Sequence, residues 1–177
     1  MMLHKRDTVF ETNSSSTHTL TLSSRALQPS TLPTDKHGRI IVTLQDFDCY
    51  GTVKTQSEKL AWCILQAQGN ADVWLEPWED DYFDDDDIVD EDDEVVPYEE
   101  TDIAQRHEEF MDSSVFDWME KQICAYTGAK GMRFKRGTSG SINHQSYYGS
   151  VYDFLEETGV GLLEFIFGDM YLTLDRD

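Results

Sequence analysis

Two histidines stand in polar, small-residue contexts: His18 closes Asn13-Ser14-Ser15-Ser16-Thr17-His18, and His144 lies in Asn143-His144-Gln145-Ser146. Imidazole titrates near neutrality, so a pair can supply both the base and the acid of a metal-free proton-transfer reaction. Cleavage of RNA by its own 2′-hydroxyl needs those two groups. It also needs a cation or hydrogen-bond donors for the phosphorane. Ser14, Ser15, Ser16, Thr17 and Gln145 stand beside the two imidazoles as donors, and Lys5, Arg6, Asn13, Arg133, Lys135 and Arg136 are the residues expected to contact phosphate. The bland reading is strong for the serines alone, because Ser and Asn side chains in turns bond their own backbone. A lone histidine is likewise more often structural than catalytic. A serine hydrolase is not indicated, since no Gly-x-Ser-x-Gly elbow is present.

The elements that must position these residues are legible as short segments. Thr8-Val9-Phe10-Glu11-Thr12 and Thr17-His18-Thr19-Leu20-Thr21-Leu22 alternate and are rich in β-branched residues. The polar run between them predicts an N-terminal β-hairpin over residues 1–22. Residues 23–37, with Pro29 and Pro33, read as a connecting loop, and residues 38–44 as a strand. Leu60, Ala61, Ile64, Leu65 and Gln68 recur at helical spacing after Ser57, with Gly69-Asn70 as the stop. A second helical pattern runs over 103–126, with Asp112-Ser113-Ser114 interrupting it and capping its second half; Gly128 and Gly131 end it. Residues 132–136 read as a strand with a basic outer face, 151–157 and 162–167 as short helices, and 171–174 as a closing strand. Strands and helices mix without a βαβ rhythm. The expected fold is therefore α+β: a single domain over residues 1–177 with the hairpin, a mixed or antiparallel sheet, several helices and an acidic excursion.

That excursion dominates the composition. The chain of 177 residues carries 14 Lys and Arg against 35 Asp and Glu, for a net charge of −21. Residues 76–109 hold eighteen of the acids and one base, Arg106, while residues 1–75 are balanced at seven of each. A chain of this charge should not bind free nucleic acid or anionic membrane unaided, since those affinities need clustered cations. It suits a strongly basic partner. Asp84, Asp85, Asp86, Asp87, Asp90, Glu91, Asp92, Asp93 and Glu94 are the candidate partner-binding residues. One reading makes this run a solvated loop, because like charges repel. The other makes it a surrogate for a phosphate backbone, anchored by interleaved aromatics such as Trp78, Tyr82 and Phe83. Calcium fits poorly, because the spacing is not that of a loop site.

Cys49, Cys63 and Cys124 lack CxxC spacing and are odd in number, which favours free thiols in a reducing cytosol over disulfides or zinc. No cofactor or metal is expected. Neither a signal-peptide core nor an apolar run of spanning length is present, so the expected location is the cytoplasm.

The stretch Val9-Phe10-Glu11-Thr12-Asn13-Ser14-Ser15-Ser16-Thr17-His18 resembles the N-terminal signature of a family of small acidic proteins from phages and mobile elements. Ile142-Asn143-His144-Gln145-Ser146 and the end running to Leu174-Asp175-Arg176-Asp177 are similar to that family's C-terminal part. Some chains of this size, charge and hairpin resemble type II anti-CRISPR proteins, which disable a guide-RNA-directed DNA nuclease. The resemblance implies a bacterial cytoplasmic location, the nuclease and its guide RNA as partners, and importance for residues 14–18, His144 and Gln145. Three functions follow as expectations. One is truncation of the guide RNA by the hairpin, dependent on a basic partner that presents it; the spare histidines tilt the sequence toward this. Another is non-enzymatic blocking of the nuclease's guide or DNA channel by the acidic segment. The last is a phage structural or regulatory protein.

Overall fold

The computed structural model describes residues 8–11, 16–48, 50–68, 102–143 and 146–176. The described chain runs β1 (Thr8–Glu11), β2 (Ser16–Leu27), β3 (Ile40–Val42), β4 (Gly51–Val53), α1 (Gln56–Gln68), α2 (Asp102–Met111), α3 (Ser114–Thr127), β5 (Met132–Phe134), α4 (Val151–Thr158), α5 (Leu162–Phe167) and β6 (Gly168–Arg176). This is an α+β fold, as the irregular alternation of elements predicts.

α1 is its centre. Eight consecutive residues, from Lys59 through Gln66, are buried, so the helix has no solvent face along that stretch. A helix wrapped on all sides needs partners on all sides, and α1 meets α3, α4, α5, β3 and β4. Its first turn is a reciprocal cap. The Glu58 backbone N–H donates to Thr55 Oγ1 at 3.2 Å, while the Glu58 carboxylate accepts from the N–H groups of Thr55 and Lys54 at 2.8 and 2.9 Å. The cap is thus Thr55, two residues before the Ser57 start expected from spacing, because Thr55 and Glu58 together satisfy both orphan donors.

A four-stranded sheet, ordered β1-β2-β6-β4, covers one side. β1 and β2 form the antiparallel hairpin, with Glu11 opposite Thr17 and Phe10 opposite His18. β2 then pairs antiparallel with β6 over its whole length, with register shifts between Leu22 and Ser24 and between Ser24 and Leu27. These shifts correct the expected loop over 23–37: β2 continues to Leu27 because bulges absorb the polar residues that break its alternation. β4, unassigned in the sequence, takes the other edge of β6.

A second, two-stranded sheet pairs β3 with β5 in parallel, Ile40 opposite Met132 and Val42 opposite Phe134. The helical pattern over 103–126 breaks where expected. Ser113 is the N-cap of α3, its hydroxyl accepting from the Phe116 N–H, and Gly128 closes the helix with a φ of 76° that favours glycine. Phe110 and Phe116 meet edge-on at 5.5 Å across that break, and both pack on Phe134 of β5. The acidic segment's exit is therefore fixed to the core by α2.

Gly168 makes the junction between α5 and β6. Its φ of −74° is ordinary; the constraint is space. A Cβ there would meet the Glu164 carbonyl oxygen and stand 3.1 Å from Met170 Cε. Gly168→Ala is expected to cost about 2 kcal/mol as an overpacked junction, read as a shifted urea midpoint with an unchanged slope. An unshifted midpoint would mean that the α5–β6 turn relaxes freely.

Candidate functional site

Of the sequence-predicted catalytic residues, the described structure contains Ser16, Thr17 and His18. Ser14, Ser15, His144 and Gln145 lie outside the described residues, as do Lys5, Arg6 and Asn13 among the phosphate-contact candidates and all nine acidic partner-binding residues. The backbone of His18 occupies a register position between Phe10 on β1 and Leu174 on β6. It belongs to the alternating series of Leu20, which is buried; Leu172 and Leu174, the β6 partners of Leu20 and His18, are buried as well. β2 is an interior strand of the sheet, with neighbours on both sides.

The loop that carries the second histidine is gripped from the core. Gln66 of α1 is fully buried; its Nε2 donates to the Ser146 carbonyl at 3.0 Å and its Oε1 accepts the Tyr148 N–H at 3.1 Å. On the near side, the Phe47 N–H donates to the Ser141 carbonyl at 2.8 Å and the Asn143 N–H to the Phe47 carbonyl at 2.9 Å. The described residues on either side of His144 and Gln145 are thereby tied down through their main chain, 141–143 by the Phe47 backbone and 146–148 by the Gln66 side chain. Gln66 is a residue that spacing placed nowhere, although a glutamine inside an apolar helical run is the sequence sign of a buried backbone clamp.

The basic strand divides into two parts. Arg133 on β5 donates through Nε to Asp35 Oδ2 at 3.0 Å and through a terminal nitrogen to the Phe134 carbonyl at 3.3 Å. Arg39 reaches the same carboxylate oxygen at 2.9 Å. Asp35 also accepts the N–H groups of His37 and Arg39 at 2.9 and 3.0 Å, and its side chain is only 6% exposed. The Arg39 backbone N–H is the main cause of a carboxyl held well below the ordinary carboxylate range; the Arg39 and Arg133 guanidiniums act the same way, against desolvation. Lys135 and Arg136, by contrast, are exposed beyond the end of β5.

Another histidine, His107, sits buried on α2. Its ring stacks on Phe134 at 4.2 Å with 16° between planes, and burial lowers its pKa. This is the structural use of imidazole, a flat ring that completes an aromatic cluster. Lys59 is buried too: its ammonium donates to the Gly168 carbonyl at 3.0 Å, and burial lowers its pKa against the pull of Asp169. Burial likewise raises the thiol pKa values of Cys63 and, with Glu120, of Cys124, so neither is a thiolate nucleophile at neutral pH. A shallow open groove of about 690 Å³ runs between α3 and residues 129–131, where Asp117, Glu120, Lys121 and Lys130 mix both signs of charge. None of the sequence-predicted site residues lines it. Among the described residues, no helix is long and apolar enough to cross a membrane.

Comparison with known proteins finds no matching family model, no matching curated protein and no matching solved structure.

Two outcomes check this geometry. Gln66→Leu strands two buried backbone groups and is expected to cost about 3 kcal/mol, with much faster hydrogen exchange at the Tyr148 amide; unchanged exchange there would refute the clamp. Asp35→Asn is expected to lower the melting temperature at pH 7. The gap should narrow as pH falls below the ordinary value of 3.8, because a depressed carboxylate's contribution is complete above its unfolded pKa and is lost as pH falls toward the folded one.

Proposed function

We propose that this protein inhibits a type II guide-RNA-directed DNA nuclease by seating its acidic segment in the nuclease's cationic guide or DNA channel. The observation that carries the reading is the charge distribution: eighteen acids and one base over residues 76–109, on a chain whose first 75 residues are neutral. Carboxylates at that density compete with phosphate for a basic groove, and they do so with little dependence on the fold behind them. One end of the segment supports the reading: its last residues lie in α2, whose His107 and Phe110 both pack on Phe134. A segment anchored to a folded body loses less freedom on docking than a free acidic peptide does.

The alternative is partner-dependent truncation of the guide RNA by the hairpin. Its support is the pairing of Glu11 with Thr17, which makes the serine run the connection between two paired strands. Docking stands first because the charge of residues 76–109 carries it without any catalytic geometry, whereas truncation needs His18 and His144 to meet and His144 lies outside the described residues. For truncation, the protein's own charge opposes the encounter with RNA at low salt, and a basic partner that holds the guide beside the hairpin removes that barrier.

The experiment is a DNA-cutting assay beside a denaturing gel of the guide RNA, with and without the nuclease. Blocked cutting with intact RNA is expected. Asp84→Asn/Asp85→Asn/Asp86→Asn/Asp87→Asn should restore most cutting, and added salt should weaken inhibition more than it weakens the nuclease alone. RNA shortened only when all components are present would move the function to the hairpin; His18→Ala should then bind and no longer cleave. Normal cutting in every tube would sink both readings for that nuclease.

A further inference from the structure

The cations of this acidic protein are not scattered. Residues 35–39 and 130–136, twelve positions in all, hold Lys36, Arg39, Lys130, Arg133, Lys135 and Arg136, six of the chain's 14 Lys and Arg, against one acid, Asp35. The parallel pairing of β3 with β5 brings the two segments together. The Lys130 N–H donates to the Gly38 carbonyl at 2.9 Å, the Ile40 N–H to the Gly131 carbonyl at 2.9 Å, and the Lys135 N–H to the Val42 carbonyl at 2.7 Å. The Lys130 side chain runs alongside Gly38, where a Cβ would stand 3.6 Å from Lys130 Cδ. Because the strands are parallel, Lys36, Arg39 and Lys130 gather at the ribbon's entry, and Lys135 and Arg136 at its exit.

Asp35 turns two of these cations into a scaffold. It holds Arg39 and Arg133 side by side, which leaves that trio with one surplus positive charge. Lys36, Lys130 and Lys135 are exposed and make no ion pair among the described residues. Arg136 is exposed as well. From α3, Glu120 accepts the Met132 N–H at 2.7 Å, and Asp117 and Glu120 line one groove together with Lys121 and Lys130. β5 itself is three residues, Met132–Phe134, and the Lys130 and Lys135 main chains bond to Gly38 and Val42 on either side of it. The two lysines are thus at most about 17 Å apart along the chain, a length that faces more than one phosphate of an RNA strand.

We infer that the β3–β5 ribbon is a phosphate-backbone contact for RNA, with Lys36, Lys130 and Lys135 as its point charges and Arg39 and Arg133 as a fixed pair between them. It deepens the nuclease-inhibitor reading and rests on it for the choice of RNA. Its test uses this chain and free RNA without nuclease, so the two fail separately. A protein partner fits less well. Lysine is depleted in protein–protein interfaces, which are anchored by buried aromatic or aliphatic side chains. Among the described residues the large exposed hydrophobics are Leu27, Tyr50 and Tyr152, and none belongs to the ribbon.

The net charge of −21 gives this contact an unusual salt response. In about 0.01 M salt the screening length is about 30 Å and RNA is repelled by the whole molecule. In about 0.1 M salt it is about 10 Å, and RNA beside the ribbon meets mainly the ribbon. Affinity should therefore pass through a maximum near 0.1 M, where an ordinary basic protein weakens monotonically.

The experiment measures fluorescence anisotropy of a labelled oligouridylate of about 20 nucleotides, carrying 4-thiouridine for crosslinking, with the full chain across a salt series. Weak binding with the maximum near 0.1 M, and crosslinks confined to 35–39 and 130–136, are expected. Lys36→Gln/Lys130→Gln/Lys135→Gln should weaken binding about tenfold and flatten the high-salt slope by about 2. Lys54→Gln, far from the ribbon in sequence and also exposed, should change neither, and thermal melting should show all variants folded. No binding at any salt, crosslinks elsewhere, or a triple variant that binds like the native chain would each overturn the inference. So would displacement of the RNA by a lower concentration of a glutamate-rich peptide, which would assign the ribbon to an acidic protein partner.

Discussion

The constraint on which the rest of the structure depends is the complete enclosure of α1. A helix with no wet face must satisfy every polar side chain it carries from within, and α1 carries two in its buried stretch, Lys59 and Gln66. Each is spent on backbone: Lys59 on the carbonyl of Gly168, and Gln66 on both polar groups of the 146–148 main chain. These bonds fix where β6 begins and where the loop after β5 runs. Trp62, between them, meets Phe47 and Phe154 edge-on at 5.4 and 6.1 Å. Its indole N–H is buried, with no hydrogen-bond acceptor among the described residues. An orphaned donor is tolerable where the ring's packing outweighs its desolvation. The core is thus specified by three residues of one helix, at its start, middle and end.

Around that helix the two sheets have different work. The four-stranded sheet is structural, with Leu20, Val53, Met170, Leu172 and Leu174 all buried in it. The two-stranded ribbon of β3 and β5 faces both ways. Ile40, Val42, Met132 and Phe134 bury one side, while Ile41 and Arg133, the half-buried residues between them, occupy the alternate positions. Asp35 ties the outer side, so the cations there stand on a braced platform rather than on a free loop.

Much of this was legible in the sequence, and the failures have physical causes. The hairpin, the break at Ser113, the Gly128 stop and the helices α4 and α5 all follow from local chemistry: alternation, a capping hydroxyl, a left-handed glycine. β2 beyond Leu22 and the edge strand β4 did not, because both are strands only by virtue of β6, about 150 residues away from β2. Spacing alone assigns Lys59 and Gln66 no role, because nothing local to the helix shows that it is wrapped on all sides. At the site, the concentration of cations in 130–136 was visible. Its union with 35–39 was not, since a parallel pairing joins segments that share no local pattern. Arg133 shows the cost of reading charge alone: its ion pair with Asp35 spans 98 positions of sequence.

The placement of β6 between β2 and β4 has a consequence for how the molecule comes into being on the ribosome. β4 and β2 have no hydrogen bonds to each other in the sheet; both wait for residues 168–176 to be synthesised and to leave the exit tunnel. Until then the nascent chain holds a two-stranded hairpin with an open edge, a form marginal on its own in water. α1 meanwhile lacks part of its cover and the carbonyl that Lys59 requires. Closing a loop of about 150 residues also makes the final pairing entropically late and slow. The final pairing is thus expected to wait for residues 168–176, with a dense run of carboxylates already extruded, whose mutual repulsion opposes aggregation while the open edge waits.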